Sequence, residues 1–136
     1  MATDSHMKNI IRMGRVSVTD PDTMTVKVVF EDKDNLVSDS LPVLARGSSK
    51  NRDYWLPDVG EQVCCLMLPN GHNAGICLGS YYSETSPPGR YGQDVRRIDF
   101  DDGTYISYDR SSHKLEIDCV GEVLIHGASV RINEPR

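Results

Sequence analysis

The chain has 136 residues and a formal net charge of −5, room for one ordinary domain and an appendage. It holds no run of roughly 18 or more apolar residues and no charged-then-apolar leader ahead of a small-residue cleavage site, so a soluble chain not exported by a cleaved peptide is expected. An acidic chain without a clustered Lys/Arg stripe also lacks the electrostatic footprint of a phosphate-backbone binder.

The leading MATDSHM reads as a cloning remnant ahead of a native start at Met7, and residues 1–6 are set apart from the fold. Candidate strands then crowd the first eighty or so positions: NIIRMGRVSVTD, TMTVKVVFED, LVSDSLPVL, EQVCCLMLP and AGICLGSYY. They alternate apolar with polar residues and are separated by turn formers, the pattern of a small closed antiparallel barrel. Gly14 and Gly79 fall inside strand patterns, where a bend or bulge is expected. In TDPDTMTV, Pro21 presets its own φ while Asp20 and Asp22 can bond neighbouring backbone. Trp55 and Pro57 precede the turn PDVGEQ, where Gly60 can take a positive φ; Trp55 is expected to close the barrel. NGHN makes a hairpin through Asn70 and Gly71, with His72 exposed.

Four cysteines are present. Cys64 and Cys65 are adjacent, so in a strand they face opposite ways and cannot form a CxxC clamp. With Cys77 and Cys119 they are expected to be small buried hydrophobes kept reduced in the cytosol, rather than a disulfide or metal site.

SETSPPGRYGQD, residues 83–94, is rich in Pro and Gly and interrupts the strand pattern, which marks a linker. Beyond it come very short strands: RRIDF, TYISYD, KLEIDC, EVLIH and SVRIN. On one parity lie Ile98, Phe100, Ile106, Tyr108, Leu115, Ile117, Val123, Ile125, Val130 and Ile132. Five short strands cannot cover such a face by themselves. Three copies wrapped about an axis would cover it as a triangular prism and would satisfy the sheet edges as well. A prism of about five strands per face, spaced roughly 4.8 Å, would be on the order of 25 Å long. The alternative is that these strands pack back on the barrel as a sandwich within one chain.

Here the residues resemble a known family. The order YWLPDVGEQV (Tyr54 to Val63), GICLGS (Gly75 to Ser80) and DGTYISYD (Asp102 to Asp109) is similar to that of the phage baseplate assembly protein V family, the central spike of contractile tails and related injection machines. The likeness runs from about Gly14 to Ile132. It implies an all-β homotrimer, with an N-terminal OB-fold barrel over residues 7–82 that docks on tail hub and baseplate proteins. A linker over 83–93 and an intertwined triple-stranded β-helix spike over 94–136 would follow. It also implies assembly in the host bacterial cytoplasm, residence in the baseplate of a virion or extracellular contractile particle, transient contact with the host envelope, and room for a tip-capping protein. Some members carry an H-x-H pair that holds iron at the tip. This chain has His126 alone, followed by Gly127 and Ala128, on the parity opposite the apolar row. His126 is therefore only a weak metal candidate, and no cofactor is expected.

No nucleophile–base constellation, phosphate-binding loop, HExxH or paired CxxC motif occurs, so no enzyme is expected. The rival reading is an OB-fold that binds single-stranded nucleic acid. That function needs aromatic residues interleaved with Lys/Arg, and the candidates Tyr54, Trp55, Tyr81 and Tyr82 have acidic or neutral neighbours.

Overall fold

The computed structural model of the chain describes residues 10–69, 73–89 and 91–135. The tag-like residues and the expected hairpin at Asn70, Gly71 and His72 lie outside the described residues. The chain divides into two compact units, Met1–Pro87 and Pro88–Arg136. Both are antiparallel β-structure, and the only helical element among the described residues is one 3-10 turn, Glu31–Lys33.

The first unit contains β1 (Ile11–Asp20), β2 (Thr25–Phe30), β3 (Leu36–Val37), β4 (Leu41–Pro42), β5 (Gln62–Met67) and β6 (Gly75–Ser80). β1 serves two partners, one at each end. Its N-terminal half pairs with β5, from Ile11↔Leu66 to Arg15↔Gln62. Its C-terminal half pairs with β2, from Arg15↔Val29 to Asp20↔Thr25, with a register irregularity between Val16 and Val18. A strand that changes partners along its length must curl, and the irregularity supplies local twist. β5 pairs with β6, and β4 pairs with β2 through Val26↔Leu41. A parallel bridge, Val43↔Cys77, joins the residues after β4 to β6. The pairings therefore return on themselves in the order β1, β2, β4, β6, β5, β1.

Alternation within each strand selects the interior. Val26, Val28 and Phe30 of β2, Val63, Cys65 and Met67 of β5, Val16, Leu41 and Cys77 are all at most 3% exposed. This alternation is what a pleated strand imposes when one face is buried. Buried polar groups are satisfied locally. The Ser38 hydroxyl accepts from Val28 N–H at 2.9 Å and donates to Asp39 O at 2.8 Å. The Gln62 amide donates to Tyr81 O at 2.8 Å and Ser83 Oγ at 2.7 Å. The β1–β2 turn is held as the sequence suggests, with Asp22 N–H donating to Asp20 Oδ1 at 3.0 Å. Gly60 adopts φ +91° at the turn before β5.

Three expectations need correction. Trp55 does not close the barrel: it is 59% exposed, while its neighbour Leu56 packs against the core. Closure is made instead by the Val43↔Cys77 bridge, which pattern reading cannot see because its residues are far apart in sequence. Gly14 is not at the register irregularity of β1, which lies between Val16 and Val18. It sits in regular register opposite Val63, and a Cβ there would stand 2.5 Å from Val28 Cγ1 and 2.6 Å from Val29 O, so it is a point of close approach between β1 and β2. Gly79, by contrast, does lie at the β5–β6 irregularity, with φ +130°.

The third correction concerns the second unit, which holds a single sheet of β7 (Val95–Asp99), β8 (Tyr105–Asp109) and β9 (Lys114–Asp118) in that order. EVLIH and SVRIN form no strand within one chain. A strand exists only where a neighbour takes its backbone hydrogen bonds, and among the described residues no strand pairing involves the chain after Asp118.

Candidate assembly surface

The β7–β8–β9 sheet is pinned by its two turns. After β7, Asp102 Oδ1 accepts from Thr104 N–H at 2.9 Å, with Gly103 at φ +96°. After β8, Asp109 Oδ1 accepts from the Ser111 hydroxyl at 2.6 Å and from Ser111 N–H at 2.9 Å. These donors favour the charged carboxylate. The Thr104 N–H holds Asp102, and the Ser111 hydroxyl and N–H hold Asp109, below the ordinary carboxylate range. At the open end, Arg110 Nε lies 2.7 Å from Asp94 Oδ1 while Arg110 N–H donates to Asp94 O.

Register then decides what each face carries, because directly opposed residues project to the same side. Ile98, Ile106 and Ile117 form one cross-strand row, and Arg96, Tyr108 and Leu115 form the next. The opposite face carries Arg97, Ser107 and Glu116. There the Arg97 guanidinium stacks 3.7 Å from the Tyr105 ring centre and 4.4 Å from that of Tyr91, and its Nε lies 2.8 Å from Asp99. Such stacking on aromatic faces suits a planar cation. The polar face is thus internally partnered, whereas the apolar face is exposed: Ile98 is 50%, Ile106 39% and Ile117 61% exposed, and Phe100, Tyr108 and Leu115 are exposed as well.

Of the ten apolar residues singled out from the sequence, the structure brings Ile98, Ile106, Tyr108, Leu115 and Ile117 onto one face of this sheet. Phe100 follows β7 directly, its N–H donating to Thr104 O at 2.9 Å. Val123, Ile125, Val130 and Ile132 are exposed in the segment beyond β9, Ile132 at 82%. Leu124 and Val120 are equally exposed and were not in that row. Val123, Leu124 and Ile125 are three apolar residues in succession, so alternation gives no means of choosing a side there. His126 is exposed. Among the described residues, no group of three His, Cys, Asp or Glu side chains is placed to hold a metal within one chain.

In the first unit, Trp55, Tyr81 and Tyr82 line a cleft of about 500 Å³ with Glu61, Gln62, Ser80 and Ser86. The Ser80 hydroxyl donates to Glu61 Oε2. Tyr54 stands elsewhere, its hydroxyl directed at Pro21 O at 3.4 Å. Three of the four aromatic residues flagged for base stacking therefore do converge. The lining of that cleft carries Glu61 and no Lys or Arg, and the adjoining surface that Tyr81 shares with Arg12 and Arg15 also carries Glu31 and Asp32, unlike a one-sided basic groove that tracks a phosphate backbone.

Taken together, these features define an all-β chain of two antiparallel units whose C-terminal sheet presents an uncovered apolar face. No family model matches it. A spike protein of Escherichia phage P2 is 28% identical to it over 111 residues, which cover 82% of this chain and 51% of that protein. The chain thus spans about half the length of the curated relative it matches.

Proposed function

We propose that the chain is a structural spike of a phage tail or a related contractile injection machine, acting as a homotrimer. The likeness to a phage spike protein supports a tail-spike or baseplate role. The observation that carries the finer reading is the one-sided apolar face of β7–β9, followed by an apolar segment with no strand partner among the described residues of its own chain. In the trimer, Ile98, Phe100, Ile106, Tyr108, Leu115, Ile117, Val123, Ile125, Val130 and Ile132 face a shared interior, and the residues after Asp118 gain strand partners from the other two chains. Burial of this face and satisfaction of the sheet edges are then one event.

The first unit is the base. Its ring of pairings, in which β1 bonds both β2 and β5 while β4 and β6 complete the circuit, supports an OB-fold reading and a role in docking on tail hub or baseplate proteins. The work is mechanical rather than catalytic: an intertwined needle passes the thrust of contraction to a small area of envelope, and no subunit leaves without breaking many interchain bonds. Antibody raised against the chain should decorate the distal end of the tail in purified particles encoded alongside it. A chain absent from such particles contradicts the role.

A further inference from the structure

We propose that Cys65 and Cys77 form a redox modification site, an oxidisable pair that closes into a cross-strand disulfide when the folded chain meets a peroxide-class oxidant outside a reducing cytosol. The two residues are direct partners in the β5–β6 ladder. The kind of partnership follows from where Cys77 spends its backbone bonds. Its carbonyl accepts from Leu44 N–H at 2.9 Å, on the side of the Val43 bridge and away from β5. A strand residue directs its N–H and C=O to the same side, so Cys65 and Cys77 occupy a non-hydrogen-bonded position. Opposed Cα atoms there are about 4.5 Å apart and the side chains are at their closest. That separation lies within the roughly 4.4–6.8 Å that a disulfide spans.

The register irregularity creates this meeting. The ladder steps from Cys64↔Gly79 to Cys65↔Cys77, with Leu78 as the extra residue. Continued without the step, it would place Leu78 opposite Cys65 and Cys77 opposite Leu66. Gly79, at φ +130°, takes the backbone conformation that the step requires. Both side chains are fully buried and their thiols share a hydrogen bond. The bond from Cys65 holds Cys77 below the ordinary thiol range, while donating it within a desolvated core makes Cys65 harder to ionise.

When the β5–β6 ladder opens locally, one of the two sulfurs, as thiolate, attacks the peroxide O–O bond, forming a sulfenic acid and releasing hydroxide. The other sulfur then displaces the sulfenic oxygen, which leaves as water once that sulfur's proton is counted. Two thiols lose two electrons and two protons, and one peroxide becomes two waters. The product staples β5 to β6 beside the bridge that closes the barrel. The chain would fold and assemble with free thiols and be locked after release. Only that timing rests on the proposed spike role; the chemistry needs the barrel alone.

The purified full-length chain is treated with hydrogen peroxide at neutral pH, then denatured, alkylated and analysed by intact-mass and peptide mass spectrometry. The expected result is loss of two hydrogens per chain, a Cys65–Cys77 linked peptide, and a rise in the barrel's Tm on the order of 10 °C that dithiothreitol reverses. In Cys65→Ala, as in Cys77→Ala, no linked peptide should form and the Tm should not rise. Recovery of both Cys65 and Cys77 as alkylated thiols in the treated wild type overturns the proposal, as does oxidation confined to Cys64 and Cys119. Because the wild-type measurement decides the matter by itself, a poorly folding variant leaves the test intact. Disulfide formation in a chain that proves monomeric would uphold this site while refuting the spike.

Discussion

Ile117→Asp is expected to abolish the trimer at neutral pH while leaving the N-terminal barrel folded. Ile117 is the fourth of the five residues of β9, opposite Ile106, which in turn opposes Ile98. In a single chain its side chain is mostly exposed, so the substitution has no core to disturb in the isolated sheet. In the proposed assembly the same position occurs three times about one axis, and three carboxylates would be desolvated together and would repel one another. The penalty for burying an ion without a partner is several kcal/mol each, ample to undo association. Both causes raise the carboxyl pKa in the trimer, so protonation relieves them and assembly should recover as the pH falls toward the raised value. Size-exclusion chromatography with light scattering follows this directly. A variant that remains fully trimeric at neutral pH shows that the row faces solvent.

Phe30→Ala is expected to have the opposite pattern. Phe30 is the largest fully buried side chain of the barrel and belongs to the buried cluster that also holds Val28, Val63 and Cys77. Removing its ring sacrifices transfer free energy and leaves a cavity, typically about 3–5 kcal/mol for an aromatic truncation. The core is small, so little remains to collapse into the space. Thermal or denaturant unfolding should show the barrel transition moved sharply down while the mass of the assembly stays that of the trimer, because the residues proposed to hold the chains together all lie in the second unit. A loss below about 1 kcal/mol would show that the site repacks and that Phe30 is not central to the barrel.

The two units differ in how far their sequence discloses them. In the barrel, alternation in β2 and β5 gives both strand and inward face because each strand buries one side within its own chain. Local turn chemistry is equally visible: Asp20 accepts from the N–H two positions on, and Gly60 takes its positive φ within the turn that Glu61 N–H closes on Asp58 O. Trp55 misleads because a large apolar ring reads as core, while Leu56, one position on, takes the inward place. The opposition of Cys65 to Cys77 is hidden by the extra residue at Leu78, since a ladder counted without it pairs different residues. In the second unit, register over β7–β9 gathers the isoleucines on one face as their parity suggests. The segments EVLIH and SVRIN have strand composition yet form no strand in one chain, because composition reports a willingness to pair and only a partner supplies the pairing. Leu124 escapes for the related reason that three successive apolar residues carry no parity.

The central claim is that copies of the same chain cover the apolar face of β7–β9. Native mass spectrometry of the 136-residue protein at micromolar concentration tests it most directly. The account predicts a single species of about 46 kDa, three times the 15.2 kDa chain, with no monomer persisting on dilution into the nanomolar range. A monomer or dimer at micromolar concentration would contradict it.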